Sequence, residues 1–199
     1  EVGTIYSKAE LTALSETCHK YGLYLFLDGA RLGYGLAAPD NDLTLPDIAA
    51  LCDVFYIGGT KVGALFGEAV VIKNPELAQD FRYLIKQNGG MLAKGRLLGL
   101  QFDALFTDGL YQVISAHAIA MAEKLREAFT AKGYTYLAPN RTNQIFVIVP
   151  DAHLAKISEQ FEYSYDQRID ATHSCVRFCT GWATREENVD ALIRCVEKL

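Results

Sequence analysis

The sequence predicts an α/β fold: a first domain over residues 1–108 with parallel strands plus one antiparallel strand, then a small C-terminal α+β domain over residues 109–199. Three observations predict it. Apolar strand-like runs alternate with capped helical segments through the first half of the chain. Two of those runs, Leu23-Tyr24-Leu25-Phe26-Leu27 and Val54-Phe55-Tyr56-Ile57, are apolar on both faces. Strands with that pattern are usually buried on both sides in a helix-covered parallel sheet. After a long helical stretch the rhythm changes to closely spaced strands.

Each element has a local reason. Ser7-Lys8-Ala9-Glu10 is a capping box, in which hydroxyl and carboxylate each satisfy an orphan N–H at a helix start. Leu11, Leu14, Cys18 and Tyr21 then share one helical face, and Gly22 ends the helix. The first strand covers residues 23–27 and stops at Asp28-Gly29. A short helix with Pro46 in its first turn runs to Leu51. The second strand follows and ends at Gly58-Gly59; the intervening helix makes a β-α-β crossover, so the two strands are predicted parallel. Only about ten residues lead to the third strand, Ala69-Val70-Val71-Ile72, fewer than a parallel crossover needs, so it is predicted antiparallel. Asn74-Pro75 opens a helix expected to reach Gly89-Gly90. Another covers roughly residues 94–106, and a long one runs from Asp108-Gly109 to Lys132, stopped by Gly133. The remainder reads as strands at 134–137 and 145–149, a helix at 151–161, strands at 163–166 and 175–179, and a final helix capped by Thr184-Arg185-Glu186-Glu187.

Composition narrows the function. The 199 residues carry 19 Lys and Arg against 24 Asp and Glu, a net charge of −5, which gives no electrostatic reason to bind nucleic acid or an anionic membrane. With 50% hydrophobic and 22% charged residues the chain has the makings of a packed core rather than of disorder. No apolar run approaches the ~20 residues that span a bilayer. The cysteines (Cys18, Cys52, Cys175, Cys179, Cys195) are odd in number and lack CxxC spacing, which points to buried free thiols and the cytoplasm rather than to a disulfide framework or zinc. The chain begins Glu1-Val2-Gly3-Thr4, with no initiator Met and no signal-like segment, so it is expected to be trimmed or part of something longer.

Ligands of open α/β sheets bind beyond the carboxyl ends of parallel strands, and both such ends here carry polar residues on glycine turns. Asp28 ends a strand expected to be buried, where a carboxylate needs a cationic or hydrogen-bonding partner. Arg31 can supply one, and a simple local ion pair is the slightly favoured reading of that end alone. Lys61 follows the second strand in an apolar, glycine-rich setting with no acid before Glu68, where desolvation lowers a lysine's pKa and makes the amine nucleophilic. The P-loop spacing is absent. An aspartate at one strand end and a lysine past the next would share one crevice. That pairing suits pyridoxal phosphate, with Lys in a Schiff base and Asp keeping the pyridine nitrogen protonated.

Leu27-Asp28-Gly29-Ala30-Arg31 and Gly59-Thr60-Lys61-Val62-Gly63-Ala64-Leu65-Phe66-Gly67-Glu68 resemble the two core motifs of the threonine aldolase family. These are pyridoxal 5'-phosphate enzymes of fold type I, grouped with the β-eliminating lyases. Gly89-Gly90-Met91, Thr142-Asn143-Gln144 and Val176-Arg177-Phe178 before Thr180 follow in the family's order, so the resemblance covers nearly the whole chain. It implies that Lys61 is the Schiff-base lysine and Asp28 the pyridinium partner. Thr60 and Arg31 lie at the cofactor, and Arg31 with Arg177 binds the substrate carboxylate. Period-2 geometry independently puts Arg177 on a face with Cys175 and Cys179, opposite Val176 and Phe178, while an exposed arginine in a salt bridge is an equal alternative. Many members carry Arg after the Gly-Gly-Met stretch; Leu92 stands here instead. Lys94 or Arg96 could bring the positive charge, though Arg96 reads more readily as a solvated helix residue. His19, His117 and His153 read as surface or satisfied histidines; His173 precedes the Arg177 strand, and Tyr34 reads as packing more than as pocket lining.

The resemblance implies a partial fold type I large domain followed by the small domain. The phosphate-cradling glycine loop and the ring that stacks on the cofactor are expected to lie outside this chain. The implied activity is aldehyde-lyase cleavage of β-hydroxy-α-amino acids such as threonine to glycine and an aldehyde, by a cytoplasmic homo-oligomer of at least two subunits. Two alternatives stand beside it: another fold type I enzyme (a β-eliminating lyase or an aminotransferase), and a catalytically incomplete fragment.

Overall fold

The structure is a computed structural model and describes residues 2–199. It contains two compact units. The first holds Tyr6–Leu36 and Asn41–Val113; the second holds Ala37–Asp40 and Ile114–Leu199 together with the described residues before Tyr6.

In the first unit, α1 (Lys8–Lys20) starts with both capping-box bonds made between Ser7 and Glu10. Gly22, at φ +66, takes the left-handed conformation that ends it. Strand β1 (Phe26–Leu27) pairs parallel with β2 (Val54–Gly58), in the register Phe26↔Val54 and Leu27↔Phe55. Between them lie α2 (Leu32–Leu36) and α3 (Leu45–Leu51), the latter capped by Thr44 and Asp47 with Pro46 in its first turn. Strand β3 (Glu68–Ile72) runs antiparallel to β2, as the short connection requires, giving the order β1-β2-β3. Next come α4 (Pro75–Ala78), α5 (Phe81–Gln87) and α6 (Arg96–Phe106); a 3-10 turn then leads into α7 (Leu110–Ala131).

Three expectations are corrected here. The first strand is two residues long rather than five, and Leu23, Tyr24 and Phe26 are exposed. β1 lies at the edge of the sheet formed by the described residues, and none of them covers its outer side. The segment is still tied to β2: the Leu25 amide donates to Asp53 Oδ2 at 2.8 Å, and the Asp53 amide donates to the Leu25 carbonyl at 3.0 Å. The helix predicted from Asn74-Pro75 breaks at Gln79-Asp80, where Asp80 has φ 55, a left-handed value that an α-helix does not continue through. Finally α2, Leu-Gly-Tyr-Gly-Leu, was not predicted, because its glycines read as loop.

In the second unit α7 continues to Ala131, and Gly133 (φ +84) turns the chain. β4 (Thr135–Tyr136), β5 (Gln144–Pro150), α8 (Asp151–Ile157), β6 (Ser164–Arg168), β7 (His173–Cys179) and α9 (Glu186–Glu197) follow. The strands form an antiparallel sheet in the order β4-β5-β7-β6, with β5 and β7 paired from Gln144↔Cys179 to Pro150↔His173. Val147, Val149, Val176 and Phe178 from the sheet pack with Leu125 and Phe129 of α7, Ile157 of α8 and Leu192 of α9. The Phe129 and Phe178 rings lie 5.4 Å apart.

The predicted capping box of α9 does not form. Its N-cap is Arg185, without a side-chain bond, because the Thr184 hydroxyl accepts instead from the Gly181 amide at 2.8 Å. None of the five cysteines is in a disulfide. Burial pushes the thiols of Cys52 and Cys175 up to about 11, whereas Cys179, expected to be buried, is exposed at the end of β7. Among the described residues no helix is long and apolar enough to cross a membrane.

Phe129 is fully buried in this core. Phe129→Ala is expected to destabilise the protein by about 3–5 kcal/mol, the range for deleting a buried aromatic ring. Urea unfolding followed by far-UV circular dichroism measures it; an unchanged midpoint would contradict the packing described.

Candidate functional site

The first unit brings its two strand-end turns into backbone contact. The Gly58 amide donates to the Gly29 carbonyl at 2.9 Å. A Cβ on Gly29 would lie 1.7 Å from the Tyr56 carbonyl oxygen, and one on Gly58 would lie 2.3 Å from that of Ala30. Glycine is required at both positions by this close approach, since neither has a positive φ. The contact sets the turn bearing Asp28 and Arg31 beside the loop bearing Thr60 and Lys61.

Asp28 is held by two donors on one oxygen. The Ala30 amide donates to its Oδ1 at 3.1 Å, and the Tyr56 hydroxyl donates to the same atom. The Tyr56 bond is the largest cause of a carboxyl pKa below the ordinary range, with the Ala30 amide next and the charges of Lys61 and Arg31 adding to it. Asp28 is therefore an ionised carboxylate at neutral pH. Among the described residues its hydrogen bonds all fall on Oδ1, so Oδ2 is available to accept. The simple Asp28–Arg31 ion pair does not form: Arg31 contributes its charge, while the direct bonds come from Tyr56 and Ala30. Burial and the carboxylate of Asp28 together push the Tyr56 phenol up to about 12, so it remains a donor.

The lysine loop is anchored through its backbone. Glu68 Oε2 accepts from the Gly59 amide at 2.7 Å, and its Oε1 accepts from the Thr60 hydroxyl at 3.2 Å. The Val62 and Ala64 amides both donate to the Gly59 carbonyl, and Val62 is fully buried. The hydroxyl of the buried Tyr34 donates to the carbonyl of Lys61, so Tyr34 packs and also fixes the loop. Tyr111 accepts from the Gly33 amide at 3.1 Å and donates to the Gly58 carbonyl at 3.0 Å, joining the two turns from behind. Thr60 and the Lys61 side chain are exposed. The enclosed, apolar surroundings expected of Lys61 are thus not supplied by the described residues; its neighbouring glycines shape the loop without covering the amine. Leu92, Lys94 and Arg96 are exposed around the start of α6.

Arg177 belongs to the second unit. It stands opposite Phe146 in the β5–β7 register, with its guanidinium 5.9 Å from that ring's centre. Its Nη1 donates to Gln144 Oε1 at 3.3 Å, and its Nε is buried with no hydrogen-bond partner among the described residues. The predicted facing is observed: Val176 and Phe178 enter the core while Arg177 lies on the other face.

Every histidine has a nearby partner. His19 meets Asp53 at 3.1 Å, His117 the Thr184 carbonyl at 2.7 Å, His153 the Tyr134 hydroxyl at 2.7 Å, and His173 Asp170 at 3.0 Å. Sequence reasoning missed Tyr56, Tyr111 and Glu68. For Tyr56 a signal existed: in the parallel register Leu27↔Phe55, Asp28 and Tyr56 are each one residue further on.

The donor set fits a cofactor that needs an amine, an ionised carboxylate and a neighbouring cation. The chain belongs to the beta-eliminating lyase family, whose profile matches residues 1–152. It is 31% identical over 195 residues to the low specificity L-threonine aldolase of Pseudomonas aeruginosa, and 33% identical over 196 residues to that of a Pseudomonas species. Those matches cover 98% and 96% of this chain but 56% and 55% of the relatives, so the chain spans about half their length. A solved structure of Leishmania major threonine aldolase is 43% identical and superposes with a TM-score of 0.98, covering 100% of this chain and 58% of that one.

Two predictions follow from the turn geometry. Gly58→Ala meets backbone that cannot yield, and is expected to lower the urea midpoint and weaken the Tyr56–Asp28 bond together; a fully stable variant would contradict the close approach. The Asp28 carboxyl lies below its ordinary value of 3.8 in the folded protein, so its stabilising contribution is complete above that pH. It is lost as the pH falls through the lower folded value. Midpoints of the parent and Asp28→Asn, measured against pH, are expected to draw together in acid.

Proposed function

We propose that this chain carries the lysine and aspartate of a pyridoxal 5'-phosphate aldehyde-lyase that cleaves β-hydroxy-α-amino acids, threonine among them, to glycine and an aldehyde. The observation that carries this reading is the pairing of an ionised Asp28 with the Lys61 loop across two abutting glycine turns. The similarity to low specificity L-threonine aldolases supports the substrate class. The activity proposed is that of the whole protein, of whose relatives this chain spans about half.

Bound at this site, pyridoxal phosphate supplies an electron sink for charge developing at the substrate's Cα. Lys61 offers its ε-amine as the covalent anchor. Asp28 offers Oδ2 to the ring nitrogen and, being ionised, favours the protonated form of that nitrogen. Thr60, next in sequence to Lys61, contributes a hydroxyl at the cofactor. Arg31 and Arg177 bind the substrate carboxylate, for which a guanidinium presents parallel donors. The unpaired Nε of Arg177 supports that role, since a buried donor without a partner is costly until an acceptor arrives. The odd number of cysteines, without CxxC spacing, supports a reducing compartment, proposed as the cytoplasm. Exposed Leu97, Leu100 and Phe106 leave apolar surface for partners, proposed as further copies of the chain, in a dimer or tetramer, and the N-terminal segment that the relatives carry.

Borohydride reduction of the protein after addition of pyridoxal phosphate, followed by peptide mass analysis, is expected to place the adduct on Lys61. Lys61→Ala is expected to abolish the adduct and to cut glycine release from threonine on the order of 10⁶-fold, the scale on which loss of an essential nucleophile acts. An adduct on another lysine, or turnover that needs a keto-acid acceptor, would overturn the reading, the second in favour of an aminotransferase.

A further inference from the structure

Among the described residues Tyr56 is the one side chain that binds the Asp28 carboxylate directly. Three constraints hold it there. Its backbone carbonyl is pressed against Gly29, so the base of the side chain cannot slide. Its ring lies 6.0 Å from that of Phe26, tilted by 39°, on the same face of the sheet. The parallel register places it beside Asp28 from the adjoining strand, one residue past the pair Leu27↔Phe55. The Ala30 amide, on the other side of the turn, binds the same oxygen. Two donors on Oδ1 stop the carboxylate from rotating and leave Oδ2 as its remaining acceptor. The neighbouring cations do not do this: Lys61 and Arg31 act on Asp28 through charge, with no hydrogen bond to it among the described residues. Glu68, whose charge reaches Tyr56, reinforces the protonated phenol.

We propose that Tyr56 is a positioning residue, its hydroxyl fixing the carboxylate of Asp28 so that Oδ2 is presented to the cofactor's ring nitrogen. This rests on the cofactor reading above and deepens it. Tyr56 touches neither substrate nor reacting atoms; it acts through Asp28. Preorganising an acceptor in this way lowers the ordering needed when the cofactor enters.

Tyr56→Phe removes the hydroxyl and keeps the ring against Phe26. In the protein without cofactor, the ¹³C titration of the Asp28 carboxyl is expected to move upward, toward the ordinary carboxylate range. The dissociation constant for pyridoxal phosphate is expected to rise by about tenfold, as loss of one charge-assisted hydrogen bond implies. In the Asp28→Asn background the same substitution is expected to leave that constant unchanged, because the group through which it acts is gone. An unshifted Asp28 titration, an unchanged affinity in Tyr56→Phe, or an equal loss in both backgrounds would each overturn the proposal. If the parent forms no Lys61 adduct, the cofactor reading fails and takes this inference with it. A normal parent adduct beside an unaffected variant removes the role of Tyr56 alone.

Discussion

The candidate site depends on one steric constraint: two strand-end turns touch backbone to backbone, with no room for a β-carbon on either Gly29 or Gly58. Parallel pairing brings β1 and β2 alongside each other, but pairing alone leaves the residues after them free to diverge. The bond from Gly58 to Gly29 carries the alignment past the last ladder pair and into the turns. Asp28, Arg31, Thr60 and Lys61 are then placed by reference to that junction.

Around it, the first unit uses side-chain hydroxyls and one carboxylate to hold main chain in place. Tyr34 ties down the Lys61 carbonyl, Tyr111 bridges Gly33 and Gly58, and Glu68 gathers the Gly59 amide and the Thr60 hydroxyl. Irregular loops near a sheet carry backbone groups that the ladder does not satisfy, and each of these side chains takes up one or two of them. The lysine loop is therefore defined along its backbone although the Lys61 side chain itself is exposed. Arg177 presents the opposite arrangement, a side chain partly withdrawn from water beside Phe146 with a donor left unmatched.

Much of this was legible in the sequence. The Ser7-Glu10 box marked α1, the crossover lengths gave a parallel β2 and an antiparallel β3, and Gly133 marked the end of α7. Asp28 and Lys61 stood out because charged residues at the ends of apolar strands need a reason. What was not legible depended on neighbours distant in sequence. Leu23, Tyr24 and Phe26 are exposed in a chain that spans about half its relatives' length, where β1 is the last strand of the described sheet. The break at Asp80 is a single left-handed residue in an otherwise helical composition. Thr184 and Glu187 have capping-box spacing, yet the threonine hydroxyl is taken by Gly181. Tyr56 looked like one more apolar strand residue; only pairing with β1 gives its hydroxyl a partner.

The second unit is closed by bonds that reach across more than two thirds of the chain. Asn140 Nδ2 donates to the Val2 carbonyl at 2.7 Å, and the Thr142 hydroxyl donates to the Gly3 carbonyl at 3.0 Å. Those partners lie 138 and 139 positions apart in sequence. Contacts of such separation form late, because the intervening chain must first be made and its ends brought together. On the ribosome, Val2 and Gly3 are synthesised before the turn that precedes β5 and wait for it to emerge. The first unit, whose segments end at Val113, has no such delay, so vectorial synthesis favours its folding ahead of the other.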